Sequence, residues 1–195
     1  MFKKIKLKIL MRVKYLINYC LYLYYKYDSW HLSSIESREY CLDAVNYINS
    51  KIQIDGCAIE IGCGLGETIS KINCKSKFGY DLSDSVIAAA KFRNYFNSAV
   101  FHVGSFDALN STKVDYLIAL NFLHDFDSKT VSKWFKDMNN DNDLFYIIVD
   151  EVHDPDYKNN HNFTQILPTN FIAVSCFEKE YRYNRKLKLF KNTNF

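Results

Sequence analysis

Three glycines at alternating positions follow a short apolar run in the first half of the chain. The run Cys57–Ile61 is typical of a buried central strand, and it leads directly into Gly62, Gly64 and Gly66. A glycine-rich turn between a strand and a helix lets the backbone approach a ligand closely, and the first turn of the helix offers free N–H groups. The chain is therefore predicted to fold around a strand, a ligand-binding loop and a helix.

Strand and helix patterns alternate from Trp30 onward, which indicates a parallel sheet covered by helices. The periodicity predicts helices at residues 37–50, 67–72, 86–96 and 128–138, and strands at 57–61, 77–81, 99–103, 114–120 and 144–149. Two extended runs, 171–183 and 186–190, predict a closing antiparallel hairpin. We expect an α/β fold, Rossmann-like and doubly wound, with a mostly parallel seven-stranded sheet.

The composition is that of one ordinary globular domain. The chain has 195 residues, and its apolar fraction of 48% is enough for a sizeable core. A net charge of +3 is too small to indicate a nucleic-acid partner. The six cysteines form no CxxC pair, so we expect reduced core thiols, no metal site and a cytoplasmic location.

Residues 1–29 are predicted to form a basic, aromatic helical segment ahead of a catalytic domain at residues 30–195. Positive charges crowd its first half, at Lys3, Lys4, Lys6, Lys8, Arg12 and Lys14. The uncharged stretch that follows is shorter than the roughly 18 to 20 residues that cross a bilayer. Three roles stay open for this segment: docking on the domain, dimerisation with a second subunit, and contact with the inner face of a membrane.

Two carboxylates distinguish the glycine loop from a dinucleotide-binding loop. Glu60 precedes the first glycine, where a carboxylate is poorly matched to a pyrophosphate but well matched to the ammonium group of an amino acid such as methionine. Asp81, about 20 residues on, ends the second predicted strand, where such folds bind both hydroxyls of a ribose. The pattern therefore disfavours a nicotinamide-dependent oxidoreductase.

With these motifs, residues 37–195 resemble the class I S-adenosylmethionine-dependent methyltransferases. The resemblance implies S-adenosylmethionine as cofactor, with Glu60 and the glycines around its methionine part, Asp81 on the ribose and Leu82 on the adenine. Residues 104–107 look like the family's adenine site, although Ser105 stands where the family often has an acidic residue. The implied cofactor-binding residues are Glu60, Gly62, Cys63, Gly64, Gly66, Asp81, Leu82, Ser105, Phe106 and Asn121.

The segment after the fourth predicted strand carries the candidate catalytic base. Residues 123–126, Leu-His-Asp-Phe, are similar to the catalytic segment of small-molecule O-methyltransferases, in which the histidine removes a proton from a hydroxyl. By the same resemblance a carboxylate after the fifth strand, for which we select Glu151, orients His124. A structural or cofactor-lining role for His124 is the alternative. Arg38 is a candidate for the methionine carboxylate, with a solvated helix position as the other reading.

The predicted function is S-adenosylmethionine-dependent methylation of a small molecule, at a hydroxyl of a saccharide or lipid-linked acceptor. Nucleic-acid amino methyltransferases usually carry an Asn- or Asp-Pro-Pro-aromatic motif where this chain has Asn121-Phe122-Leu123-His124. That difference disfavours methylation of bases. N-methylation, and a non-catalytic module that keeps the fold as a partner or scaffold, are the alternatives.

Overall fold

The computed structural model describes residues 2–109, 113–141 and 143–195. Within these ranges the helices are Phe2–Tyr25 (α1), Glu39–Asn49 (α2), Asp84–Arg93 (α3), Ser128–Asp141 (α4) and Phe163–Ile166 (α5). The strands are Cys57–Ile61 (β1), Ser76–Asp81 (β2), Val100–Val103 (β3), Lys113–Ala119 (β4), Asp143–Val152 (β5), Phe171–Val174 (β6), Glu180–Tyr181 (β7) and Arg185–Asn192 (β8).

The strands form one mixed sheet in the order β3-β2-β1-β4-β5-β8-β6, and the two-residue β7 pairs with β8. β1 to β5 are mutually parallel, whereas β8 is antiparallel to both β5 and β6. This topology confirms the predicted doubly wound sheet with its antiparallel pair, and β7 is an addition to it. The strand order reverses between β1 and β4, and ligands of such sheets bind beyond the carboxyl ends of the strands at this point.

Apolar residues fill both faces of the sheet because side chains alternate along each strand. Ala58, Ile118 and Ile148 pack in the core that contains α2, whereas their neighbours pack in the core that contains α4. The strands therefore appear in the sequence as nearly continuous apolar runs, as expected for a sheet covered on both sides.

The long helix α1 docks on the domain through its second half. Leu21 is buried in a small cluster that includes Leu65 and Val86, at the start of α3. The Asn18 amide donates to the Leu32 carbonyl (3.2 Å), and its oxygen accepts from Arg93 Nε (3.0 Å). Throughout the described ranges, no helix combines the length and the apolar character needed to cross a membrane.

Two predicted elements differ from the structure. The helix expected at 67–72 is a turn that contains only a short 3-10 segment, Ile69–Lys71. Helix nucleation is costly, and six residues before the next strand give too few hydrogen bonds to offset it. The extended run at 171–183 is strand only at β6 and β7.

Candidate active site

The glycine loop after β1 packs tightly against aromatic side chains. Gly62 and Gly64 have φ angles of +70° and +53°, in the left-handed region that favours glycine. A Cβ atom on Gly62 would lie 2.4 Å from the Phe122 ring, and one on Gly64 would lie 2.9 Å from Nδ1 of His31. The loop is therefore glycine-rich for both conformational and steric reasons.

Cys63 lies between these glycines and is buried. Its backbone N–H donates to the Tyr80 carbonyl (2.9 Å), which ties the loop to β2. Burial raises the pKa of the thiol well above its usual value. Cys63 therefore fills space under the loop as a neutral side chain, and its carbonyl, which accepts from the Gly66 N–H (2.9 Å), helps to hold the turn in shape.

Glu60 is placed at the carboxyl end of β1 with only 3% of its surface exposed. Its Oε2 accepts a hydrogen bond from the backbone N–H of Ile69 (3.0 Å). Burial raises the pKa of Glu60 to about 8, although this hydrogen bond and the charge of Arg38 act in the opposite direction. A positively charged ligand beside Glu60 would therefore favour its ionised form.

Asp81 ends β2 next to the glycine loop. One carboxylate oxygen accepts from the Gly64 N–H (3.0 Å) and the other from the Ser83 N–H (3.1 Å). Burial raises the pKa of Asp81 above its usual value, against the effect of these backbone hydrogen bonds. The following residue, Leu82, has 54% of its surface exposed and presents an apolar side chain beside the carboxylate.

The two residues Ser105 and Phe106, which follow β3, have different environments. Ser105 is buried, and its hydroxyl oxygen has no hydrogen-bond partner among the described residues. The Phe106 ring stacks on Trp134, with ring centroids 5.2 Å apart, and packs against Phe135. Its side chain thus belongs to the core under α4, so only its backbone is available to a ligand. Asp107 is exposed.

Asn121 follows β4 with a φ of +55°, an uncommon conformation for a residue other than glycine. Its N–H donates to Asp150 Oδ1 (2.8 Å), and its side-chain oxygen accepts from the Arg185 guanidinium (2.7 Å). These two bonds fix both the backbone and the side chain of Asn121 at the switch point of the sheet.

Asp150 is the centre of a buried ionic cluster, in which His124 and Arg185 are the other ionisable side chains. Asp150 is 1% exposed and bonds Nη1 of Arg185, while its Oδ2 lies 3.3 Å from His124 Nε2. Burial acts to raise the pKa of Asp150, but the bond with His124 and the charge of Arg185 outweigh it, so the pKa lies below its usual value. The carboxylate stays ionised because its cation is part of the fold.

His124 is buried within a 3-10 turn, Leu123–Asp125, and its ring meets that of Tyr157 edge to face at 5.0 Å. Because Nε2 faces Asp150, the tautomer we assign from the hydrogen-bond network carries its proton there. The other ring nitrogen, Nδ1, is buried and has no hydrogen-bond partner in the described part of the chain. In this tautomer Nδ1 is the ring nitrogen with an unprotonated lone pair.

Glu151, predicted from the sequence to orient His124, makes different contacts. Its Oε1 accepts from the N–H of Phe163 (3.1 Å) at the start of α5, and its Oε2 lies 3.5 Å from Lys188 Nζ. Consecutive residues of a strand point to opposite faces, so Asp150 and Glu151 cannot both reach His124. The carboxylate that contacts His124 is Asp150.

Arg38 lies near the glycine loop but is engaged by an acidic residue of that loop. One of its terminal nitrogens donates to Glu67 Oε2 (2.9 Å), and Arg93 binds the other oxygen of the same carboxylate (2.6 Å). The Arg38 Nε atom is buried without a described partner. One carboxylate is thus shared by two guanidinium groups.

A cavity of about 500 Å³ opens beside Asn121. Residues from the stretch between α1 and α2, from α2, from the loop after β5 and from the start of β8 line it, among them Arg38, Tyr40, Tyr157 and Arg185. Tyr157 belongs to none of the sequence motifs. Its position depends on Arg185, which donates to the Tyr157 hydroxyl (2.8 Å) from a distant part of the chain.

No protein-family model and no curated protein sequence matches the chain. Solved structures do match. Magnesium protoporphyrin IX methyltransferase (ChlM) from Synechocystis PCC 6803, with S-adenosylmethionine bound, aligns with 95% of this chain and 96% of its own at a TM-score of 0.68 and 15% identity. The N-methyltransferase NodS from Bradyrhizobium japonicum WM9, in complex with S-adenosyl-L-homocysteine, aligns with 80% of this chain and 86% of its own, at a TM-score of 0.67 and 15% identity.

TehB from Haemophilus influenzae is a further structural match, over 79% of this chain and 62% of its own, at a TM-score of 0.59 and 11% identity. At these identities the similarity establishes the fold. The chain has the class I methyltransferase fold, as the sequence motifs predicted.

Proposed function

We propose that the chain is an S-adenosylmethionine-dependent methyltransferase that acts on a small molecule. The observation that carries the proposal is a pair of buried carboxylates, Glu60 and Asp81, beside the glycine loop of a class I methyltransferase fold. Among the described residues, no Lys, Arg or His nitrogen lies within ion-pair distance of either carboxylate. S-adenosylmethionine has a net positive charge, so its binding would favour the ionised forms of these carboxylates, which burial disfavours in the protein alone.

The remaining groups at this edge of the sheet fit the cofactor. Each oxygen of Asp81 accepts one backbone hydrogen bond and keeps a lone pair for a ribose hydroxyl. Leu82 offers exposed apolar surface to the adenine, and the unpaired hydroxyl of Ser105 offers a polar contact. We assign the methionine part to Glu60 and to the backbone of residues 62–66, with Asn121 opposite them.

The bound cofactor supplies an electrophilic methyl group, and the protein aligns the acceptor and removes its proton. We assign proton removal to Nδ1 of His124, since Asp150 holds the proton of the ring on Nε2. A base is needed mainly for a hydroxyl acceptor, so this assignment favours O-methylation, with saccharides and lipid-linked molecules as candidate acceptors.

Calorimetric titration with S-adenosylmethionine tests the cofactor site. Asp81→Ala removes the ribose acceptor, and we expect its affinity to fall about 100-fold, the equivalent of two charge-assisted hydrogen bonds. Asp115→Ala is the matched control, because Asp115 also accepts a backbone N–H, that of Cys57 (2.7 Å), but at the opposite end of β1. Equal affinities for the two variants would contradict the assignment of Asp81.

Formation of S-adenosylhomocysteine with hydroxyl and amine acceptors in parallel tests the chemistry. His124→Ala should lower turnover of hydroxyl acceptors about 10² to 10⁴-fold and leave cofactor affinity unchanged. Substitution of the exposed His102 is the control. Turnover confined to amines and insensitive to His124 would indicate N-methylation, and no product from any acceptor would favour a non-catalytic module.

We propose in addition that α1 binds an anionic membrane surface. Ile5, Ile9, Val13, Leu16 and Leu23 follow one another at helical spacing on the side away from the docked Asn18 and Leu21, and each is 47% to 60% exposed. The exposed cations Lys6, Lys8 and Arg12 flank this stripe. The helix contains no acidic residue, so a second copy of the stripe would bring like charges together, whereas anionic lipid headgroups complement its charge.

Flotation of the full chain with vesicles tests this proposal. We expect binding to phosphatidylserine-containing vesicles that is lost in Leu16→Glu and absent with pure phosphatidylcholine. Phe96→Glu is the control, because Phe96 is 99% exposed but lies outside α1. Flotation that is equal for Leu16→Glu and the unaltered chain would rule out the stripe, and concentration-dependent dimers lost in Leu16→Glu would assign it to self-association.

A further inference from the structure

The cavity beside Asn121 has a lining that selects for a particular class of molecule. Among its lining residues are three arginines, Arg38, Arg182 and Arg185, and a single acidic residue, Glu39, which pairs with Lys179 outside. We propose that this cavity is the acceptor site and that it recognises an anionic group, a carboxylate or a phosphate, on the acceptor. The proposal rests on the methyltransferase function and names the substrate class for it.

Arg182 is the cation of the cavity that is free to bind an anion. It is exposed, and no carboxylate among the described residues lies within ion-pair distance of it. Its guanidinium lies 5.3 Å from the centre of the Tyr183 ring, which orients it without neutralising it. A guanidinium in this state offers paired N–H donors to a carboxylate or phosphate.

Arg38 adds partial positive charge at another side of the cavity. It shares the single carboxylate of Glu67 with Arg93, so the three groups together carry one excess positive charge. Its buried Nε has no described partner, and an unmade hydrogen bond at a charged group costs free energy. Arg185, in contrast, is neutralised by Asp150 and serves to hold Tyr157 and Asn121 in place.

Unusual backbone conformations concentrate around this cavity. Four residues other than glycine have positive φ in the described ranges, and two of them, Asn121 (+55°) and Tyr183 (+65°), line the cavity. A third, Asn184 (+46°), follows Tyr183. Such conformations cost free energy and persist where the surrounding structure requires them, which is common at binding sites. The strain at residues 183–184 directly follows Arg182.

The walls of the cavity are aromatic as well as basic. Trp30, Tyr40, Tyr157, Tyr181 and Tyr183 contribute to them. A volume of about 500 Å³ is in the range of small-molecule sites, and aromatic walls favour a flat or ring-bearing ligand. Asn121, which follows β4 at the switch point, belongs to both the cavity and the proposed cofactor site, and Tyr157 of the cavity wall contacts the ring of His124 (5.0 Å).

Ligand-observed NMR titration of the full chain with benzoate, phenyl phosphate and neutral benzamide tests the proposal. We expect at least one anion to bind about tenfold more tightly than benzamide, and Arg182→Gln to remove that difference while leaving benzamide binding unchanged. Lys136→Gln, at an exposed position of α4, removes the same charge far from the cavity lining and should have no effect. The two anions separate carboxylate from phosphate recognition.

Equal binding of all three probes would overturn the proposal. Equal effects of Arg182→Gln and Lys136→Gln would also overturn it, and so would a result in which neither anion binds. Calorimetry with S-adenosylmethionine on the same proteins separates this outcome from failure of the proposed function. Retained cofactor binding without anion selectivity rejects only the acceptor class. Anion selectivity without cofactor binding rejects the methyltransferase assignment and leaves an anion site.

Discussion

The glycine-loop region and the Asp150 region each bury carboxylates, but they hold them in opposite ways. Glu60 and Asp81 accept hydrogen bonds from backbone N–H groups, and burial raises the pKa of both. Asp150 is bound by the guanidinium of Arg185, and its pKa is lowered. The first region therefore holds carboxylates without a protein cation within ion-pair distance, and burial favours their protonated forms, whereas Asp150 is ionised and neutralised by Arg185.

This difference separates a binding role from a structural one. A carboxylate whose counter-cation is supplied by the protein stabilises the fold and gains little from a ligand. A carboxylate that is buried without a cation is costly until a positive ligand arrives, so part of its free energy is available for binding. This criterion supports our proposal of a methyl-donor site at Glu60 and Asp81, whereas Asp150 contacts His124, Asn121 and Arg185 within the fold.

The largest expected effect comes from neutralising Asp150. Asp150→Asn leaves Arg185 buried without its anion, and we expect a loss of about 3 to 5 kcal/mol in the free energy of unfolding at pH 7, measured by urea denaturation. Asp137→Asn is the control, since its ion pair with Lys133 lies on the surface of α4 and should contribute almost nothing. A small effect at Asp150 would mean that the two regions do not differ as described.

The corresponding change at Glu60, from the acid to its amide, should have the opposite effect on the free energy of unfolding. The pKa of Glu60 is raised from 4.5 to about 8, so the folded state binds an extra proton between these values and the free energy of unfolding falls as pH rises through this window. Glu60→Gln removes this dependence and should stabilise the protein at pH 9 by a few kcal/mol, because each unit of pKa shift corresponds to about 1.4 kcal/mol. Urea denaturation at pH 5, 7 and 9 measures how the free energy of unfolding depends on pH in the unaltered chain and in Glu60→Gln. The same pH dependence in both would contradict the raised pKa of Glu60.

A smaller effect on stability is expected from a change at Gly64, whose N–H donates to Asp81. Gly64→Ala places a side chain at a φ of +53° and against His31, and we expect a loss of about 1 to 2 kcal/mol, measured by calorimetry. Lys26→Gly is the counterpart, because Lys26 also has a positive φ (+60°) but lies after α1, where glycine should be neutral or stabilising. If both changes destabilise the protein equally, the positive φ at Gly64 does not explain the loss of stability in Gly64→Ala.

The glycine-loop region was accessible from sequence because its parts are close in the chain. β1, the three glycines and the acidic end of β2 fall within residues 57–81, and their order alone predicts two parallel strands with two carboxylates at their edge, although the helix predicted between them is only a 3-10 turn. The apolar runs likewise predicted the sheet, since each strand is buried on both faces. The roles of the individual cofactor residues stay predictions that the titrations above address.

The Asp150 region was not accessible in the same way. Its central contact joins Asp150 to Arg185, and it depends on the antiparallel register that pairs Val152 with Arg185. Nothing local to residues 150–151 indicates which of the two adjacent carboxylates faces His124, because both faces of β5 are buried. Phe106 was likewise predicted to bind the cofactor from its position in a motif. The motif does not reveal that its ring packs under α4.

The position of β8 has a consequence for the order in which the chain folds during synthesis. β8 is made after β5 and β6 but lies between them, so the edge of β5 has no neighbour on that side until residues 185–192 leave the ribosome. The β1 to β4 half can assemble much earlier, around residue 119. A nascent chain therefore forms the strands that carry Glu60 and Asp81 well before it acquires Arg185, which lines the cavity beside Asn121.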